Sequence, residues 1–391
     1  MYAGFSDELG IGSGGDAGEE RDTDMTLTNY WWLLIWLFVG GGILTFVMPK
    51  RPVKVLGRTE YRWSWGAAII LACPYAIWCM NRSWFGDTEM YRKMFLDAPA
   101  VISQIPVYLM EHTKDRGFSV LMIAVKSIIG NSDKLFFLVI AVFQIFCVVY
   151  FFRQYSTNFL LCMFMFVAST DYLSWMFNGM RQFIAVCITL LCFGLVLKKK
   201  YIPAICLILL AATIHGSALL VLPILFVVQG KAWNKRTLLM MAGVCVAILF
   251  VDQFTTILDT MLAETQYSDL ITNEIWINDD GTNIFRVLFY SIPAVLSMVG
   301  KRYVDKENSP LINMCVNCSI CTSVINLLSS FSSGIYVGRL PIYTTLQGYV
   351  AVPWLIDNMF TKESARLVKI ALMGGYLAFF YYQMHIAWGI I

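Results

Sequence analysis

The chain has 391 residues, 58% of them hydrophobic and only 14% charged. A soluble domain carries roughly 25% charged residues, so this composition excludes an ordinary soluble protein. The net charge of +3 gives no reason to expect nucleic acid as a partner. Apolar runs near twenty residues without period-two alternation point to membrane helices rather than a barrel. The 12 Trp and 19 Tyr suit membrane interfaces. The fold class expected is an all-α polytopic membrane protein.

Residues 1–29 are Gly-rich, with seven acidic residues and one Arg. They read as a disordered acidic tail. No basic region precedes an apolar core at Met1, so no cleavable signal peptide is expected. Residues 30–391 read as one integral membrane domain. The first two spans are Tyr30–Met48 and Trp65–Met80, separated by the basic connector 49–62. A polar stretch, Asn81 to Arg116, follows. The apolar piece Phe118–Ile129 is too short to cross and reads as re-entrant or interfacial. Further spans are expected at Leu135–Phe152, Phe159–Trp175, Gln182–Leu197, Tyr201–Ile214 and Ala218–Val228. Five more follow at Leu238–Phe254, Ile284–Val299, Leu311–Ser330, Pro341–Leu355 and Leu367–Trp388.

Orientation follows from the positive-inside rule. The basic connectors are 49–62, Arg153, 198–200, 229–236, 301–306 and the group Lys362, Arg366, Lys369. All fall on one side if Phe118–Ile129 does not cross. This favours twelve full spans with both termini outside. The two large outer loops are then 81–134 and 252–283. From Asp252 to Asn283 there are seven acidic residues and no Lys or Arg, as an outer loop should have.

This topology gathers ionisable groups at the outer face: Asp87, Glu89, Asp115, Arg181, His215, Arg286 and Arg339. Such groups at membrane depth are costly and commonly functional. Arg181 alone reads as well as a snorkelling arginine. His215 alone reads as well as a packing residue. Three arginines that open spans from the outer side oppose the positive-inside bias, and guanidinium groups pair naturally with a diphosphate. Asp87 and Glu89 form a D-x-E pair readable as a metal site, a base or a solvated loop. A divalent metal there is the disfavoured reading, and no cofactor is expected. Asp115 reads as a helix cap or a substrate ligand. Cys315, Cys318 and Cys321 share a helix face but lack a fourth ligand, so no metal is assigned. There is no Walker A loop, no G-x-S-x-G and no H-E-x-x-H. Gln144, Asn317 and Asn326 are among the few polar residues available to an ion path.

At Asp87-Thr88-Glu89-Met90-Tyr91, Asp115-Arg116-Gly117-Phe118 and Arg181-Gln182-Phe183-Ile184-Ala185, the chain resembles the EpsG family of Wzy-type exopolysaccharide polymerases. The resemblance continues through Ile214-His215-Gly216-Ser217-Ala218, Asn283-Ile284-Phe285-Arg286 and Tyr336-Val337-Gly338-Arg339. It covers roughly residues 80–345. The family usually has Glu where Asp115 stands, and the tail 1–29 lies outside the pattern.

The resemblance implies a GT-C-type inverting glycosyltransferase in the bacterial cytoplasmic membrane, active on the extracytoplasmic face. It implies undecaprenyl-diphosphate-linked oligosaccharides as substrates, with a chain-length regulator and a flippase as candidate partners. Arg181, Arg339 and Arg286 are expected on the diphosphate, with Asp87 or His215 as base. Tyr91, Asp115, Tyr336 and Glu89 are expected near the substrate. A membrane O-acyltransferase and a lipid-linked glycan transporter are the alternative classes.

Overall fold

The structure is a computed structural model that describes residues 30–82, 86–250, 281–332, 334 and 336–389. The expectations for the tail 1–29 and for most of the loop 252–283 lie outside these residues. The described chain is overwhelmingly helical. It opens with α1 (Tyr30–Val47), a hairpin of β1 (Arg51–Val55) and β2 (Arg58–Arg62), and α2 (Trp65–Met80). After α2 come α3 (Thr88–Asp97), α4 (Ile105–Glu111) and α5 (Arg116–Ile129). Next are α6 (Asp133–Tyr155), α7 (Phe159–Ala168), α8 (Asp171–Asn178), α9 (Met180–Leu197) and α10 (Tyr201–Ile214). The remainder is α11 (Gly216–Val228), α12 (Lys235–Leu249), α13 (Ile284–Val299), α14 (Lys301–Glu307), α15 (Pro310–Ser329), α16 (Ile342–Met359) and α17 (Lys362–Tyr381).

Local chemistry fixes where these helices begin. Ser64, Ser132, Asn158, Asn234 and Asn283 each precede a helix and accept a hydrogen bond from its first-turn amides. Those amides have no partner inside the helix, so the cap removes a cost that a membrane boundary makes larger. Four helices, α1, α6, α9 and α15, are each long and apolar enough to cross a membrane. Two bent pairs, α7 with α8 and α13 with α14, raise the number to as many as six among the described residues.

The all-α class holds, and two details depart from the sequence reading. Connector 49–62 is an antiparallel hairpin turning through Leu56 and Gly57, both at positive φ. The span expected at Phe159–Trp175 bends by 70° between α7 and α8. Thr170 there takes a left-handed φ of +67° and starts the new helix direction. Gln144 and Asn317, two of the few polar residues in apolar runs, bond to backbone groups. Gln144 donates to the Met180 carbonyl, and Asn317 closes the α11–α12 joint by bonding Val228, Lys231 and Trp233.

The basic connectors meet one another. Arg58 pairs with Glu307 at 2.6 Å, joining the hairpin to α14. Gln154 donates to the Lys54 carbonyl and Arg153 to the Trp63 carbonyl. Tyr201 bonds Gln229 at 2.8 Å, joining two further connectors. The α9–α10 pair runs from this basic end to the opposite one, a rise of about 27 Å for α9 at 1.5 Å per residue.

At that opposite end α5 holds α3. Buried Lys126 of α5 donates to the carbonyls of Phe95, Leu96 and Ala98 at 2.8, 2.7 and 2.6 Å. Its three N–H bonds satisfy the end of α3. Hydrogen bonds to a charged donor contribute about 1.5–3 kcal/mol each. Lys126→Met is therefore expected to destabilise the protein by about 3 kcal/mol. Thermal unfolding of the detergent-purified variant reads this as a lowered midpoint, and an unchanged midpoint would show that α3 is held by packing alone.

Candidate active site

The site forms where α9 starts and α10 ends, far from the basic face. Arg181 lies in the first turn of α9, and its Nη1 stands 2.9 Å from Oδ2 of Asp115. The Asp115 side chain is only 2% exposed and that of Arg181 19%. Their approach is off-line, so charge rather than an aligned hydrogen bond holds the pair. Asp115 makes no capping bond to α5, which sets aside the cap reading. Beneath the guanidinium lie the rings of Tyr91 and Phe118, 5.7 and 5.9 Å away. Tyr91 is 3% exposed, so it serves as a platform for Arg181 and offers no open surface to a sugar.

Two glycines make this convergence sterically feasible. A Cβ on Gly117 would fall 2.2 Å from Oγ1 of Thr213, so glycine lets α5 touch the end of α10 and places Asp115 beside the hairpin. Gly86 has φ +63° and sits against Phe177 and Asn178. It delivers Asp87 to the end of α8. With its amide nitrogen turned to the carboxylate, Asn178 donates to Asp87 at 3.0 and 3.3 Å.

His215 lies in the joint between α10 and α11, outside both helices. Its Nδ1 bonds Oγ of Ser217 at 2.7 Å, and Ser217 bonds the Tyr343 hydroxyl at 2.8 Å. Gln182 then draws in the C-terminal part of the chain. Its amide donates to Ser217 at 3.3 Å and to the Arg339 carbonyl at 3.1 Å. Arg339 ends a single 3₁₀ turn, Val337–Arg339, just before α16.

A cavity of about 160 Å³ opens here, with Asn178, Gln182, Arg286, Arg339, Asn326 and Trp388 among its walls. Arg286 reaches it from α13 over the ring of Tyr290, 5.5 Å away. Tyr290 and Tyr349 both donate to the buried carboxylate of Asp171 at the start of α8.

Electrostatics couple these groups. Burial raises Asp87 above the ordinary carboxylate range, and the positive fields of Arg339 and then Arg181 oppose the shift. Burial raises Asp115 as well, against Arg181, Lys114 and the Gly216 amide. His215 is lowered to about 3, by burial first and then by Arg181, Arg339 and Lys114. Its imidazole is neutral at physiological pH.

Asp87, Asp115, Arg181, His215 and Arg339 are thus coupled to one another, and Arg339 also lines the adjoining cavity that Arg286 reaches. Two expected residues are not. Glu89 is exposed and pairs with Arg92, which also holds Asp133 at 2.7 Å. The D-x-E pair diverges, because residues two apart on a helix point in different directions. Among the described residues no group of three or more His, Cys, Asp or Glu is placed to hold a metal. Tyr336 packs against the apolar cluster of Ile325, Leu328 and Val337. The sequence reading missed Asn178, Asp171 and Ser217 as site residues, and assigned no role to Gln182. The available signal was an amide beside Arg181 and a lone Asp in an apolar run.

The sequence model of the EpsG family matches residues 67–388, most of the chain and every residue of this site. The chain belongs to the EpsG family. This is a Wzy-type polymerase-like family, and membership points to an exopolysaccharide, polymerase-like role with glycosyltransferase-like chemistry. No curated protein and no solved structure matches the chain. For this EpsG protein the earlier resemblance over roughly 80–345 extends in both directions, to α2 and to α17.

The Arg181–Asp115 pair separates stability from activity. Arg181→Ala leaves a buried carboxylate without its cation, at a cost of about 3 kcal/mol. Arg181→Ala with Asp115→Asn removes both charges. The double variant is expected to recover most of the lost melting temperature while glycan synthesis stays abolished.

Proposed function

We propose that this EpsG protein polymerises a surface polysaccharide by inverting glycosyl transfer at the outer face of the bacterial cytoplasmic membrane. In this reading twelve spans cross the membrane in a GT-C-like architecture. The donor is a glycan on undecaprenyl diphosphate and the acceptor is a second lipid-linked repeat. The observation that carries the proposal is the meeting of Arg181, Arg339, Asp87 and His215 at the end of the bundle opposite the basic connectors. Family membership adds the class of chemistry.

The reaction needs three things. A site must hold the diphosphate and accept the charge that develops on it. Arg181 and Arg339 fill this role, with Arg286 from the cavity wall, since guanidinium matches phosphate oxygens in bidentate fashion. Preorganised charge of this kind supplies several kcal/mol of barrier lowering. Secondly, the acceptor hydroxyl must lose its proton as its oxygen attacks the anomeric carbon from the face opposite the diphosphate. The bond to the diphosphate oxygen breaks, its electron pair leaves with the phosphate, and the proton passes to the base. Asp87 suits that role, because burial raises its basicity toward the working pH. His215 suits it less, because its lowered pKa makes it a weak base. A neutral His215 instead donates to a phosphate oxygen through Nε2 while Ser217 orients Nδ1. Thirdly, donor and acceptor must be aligned. Gln182 and Asn178 serve this by fixing Arg339 and Asp87.

The transporter alternative predicts polar groups lining several spans, but the deep amides Gln144 and Asn317 are spent on backbone joints. The acyltransferase alternative, with His215 as base, meets the same obstacle of weak basicity.

Surface polysaccharide from a host carrying Arg181→Ala or His215→Ala, run on a gel, tests the proposal. Long ladders are expected to collapse to a single lipid-linked repeat exposed outside the membrane. Repeats trapped inside indicate transport, and full ladders lacking acyl groups indicate acyl transfer. Unchanged ladders in both variants would sink the site.

The pH profile tests the base. Asp87 must be deprotonated to act, so activity is expected to fall as pH drops through its raised pKa, above the ordinary value of about 3.9. Asp87→Asn removes nearly all activity. His215→Gln lowers the rate but leaves the acid limb in place, since His215 is already neutral across that range. Polymerisation in vesicles across the mildly acidic range reads both, and a limb that vanishes in His215→Gln would reassign the base.

A further inference from the structure

A second built site lies at the opposite, basic end of the bundle. A pocket of about 240 Å³ is enclosed by the end of α1, the hairpin and the α6–α7 joint. Arg62 lines it and is 7% exposed. One guanidinium nitrogen pairs with Glu60, while the buried Nε has no hydrogen-bond partner among the described residues. Burying such a donor unpaired is unfavourable, which marks the place where an acceptor belongs.

The remaining walls have the same polarity. Exposed Lys50 also lines it, and Ser156, Thr157 and Asn158 supply hydroxyl and amide groups. Asn158 also caps α7, so the pocket meets the N-terminus of a ten-residue helix, where first-turn amides and the helix dipole favour anions. Arg153 is near enough to Arg62 for their charges to repel. Its own Nε is bonded to the Trp63 carbonyl, and its guanidinium lies over Trp65. Three basic side chains thus lie in this region, and the ion pair they make among the described residues is that of Arg62 with Glu60.

We infer that this pocket is an anion site that binds a phosphate group. A phosphate oxygen would take the free Nε of Arg62, with Lys50 and the α7 amides on the other oxygens. Two sources share this chemistry, an anionic phospholipid headgroup and free phosphate. The surroundings favour the lipid. Thr45 and Leu160 also line the pocket, and beside Thr45 the α1 side chains Phe46 and Val47 are 92% and 70% exposed. This apolar flank suits acyl chains running along α1.

The test uses the full chain in phosphatidylcholine nanodiscs with and without phosphatidylglycerol. Native mass spectrometry counts retained phosphatidylglycerol, and thermal unfolding in detergent measures the effect of inorganic phosphate. Arg62→Met is expected to weaken phosphatidylglycerol retention at least about tenfold, as loss of a charged hydrogen bond implies. Lys50→Gln, an exposed change that leaves the hairpin bonds intact, is expected to weaken it less and keeps the test valid if Arg62→Met does not fold. Retention that phosphate cannot displace assigns the lipid. Stabilisation by phosphate, lost in the variants and competing with the lipid, assigns the free anion. Equal retention in wild type and both variants, with no effect of phosphate, overturns the site.

Discussion

The buried pair of Arg181 and Asp115 is the constraint on which the end of the bundle opposite the basic connectors depends. An arginine in the first turn of a membrane helix would ordinarily snorkel into water. Here it is turned inward over Tyr91 and Phe118 and meets a carboxylate that is itself buried. Desolvation of two such charges costs more than an exposed pair returns, so apolar side chains of similar size would serve stability as well or better. In the proposed reaction, the pair is kept for what its guanidinium does when the diphosphate binds.

Every neighbouring element is shaped to keep that pair in place. Gly117 allows α5 to lie against α10, and Lys126 ties α3 to α5 through three carbonyls. Tyr91 on α3 is then fixed under Arg181. From the other direction Gln182, one residue along α9, carries Ser217 and the Arg339 turn. The site is thus assembled from four regions far apart in sequence, each anchored to the first turn of α9. Asp171 plays a comparable part for Arg286, holding Tyr290 and Tyr349 across three helices.

The sequence discloses some of this and hides the rest for physical reasons. The helices Trp65–Met80, Tyr201–Ile214 and Ile284–Val299 have the ends read from the chain, because capping residues and charge mark where apolar runs stop. The hairpin at 51–62 was hidden by its basic residues, which read as a solvated connector although Val-Lys-Val and Leu-Gly are strand and turn signals. The bend after Ala168 was hidden because both sides are equally apolar and only Thr170-Asp171 interrupts them. Among site residues the charged ones stand out against an apolar background. Glu89 stood out for the same reason and turned away, since charge alone does not report direction. Gln182, Asn178 and Ser217 are polar residues of ordinary type, and their roles come from partners more than thirty residues distant.

In the proposed reaction the same arginines govern both substrate binding and the strength of the base. Arg339 and Arg181 oppose the upward shift that burial gives Asp87. A diphosphate seated on those two guanidinium groups cancels their field at Asp87 and adds negative charge of its own. Both changes favour the protonated carboxyl, so Asp87 becomes more basic as the donor binds. The neutral state of His215 has the same origin, because Arg181 and Arg339 add to burial in holding its proton off. A bound diphosphate offsets that positive field, so the proton affinity of His215 rises along with that of Asp87. The donor therefore completes the electrostatics of the site it enters, and an acceptor hydroxyl meets an effective base only when a diphosphate is in place to leave.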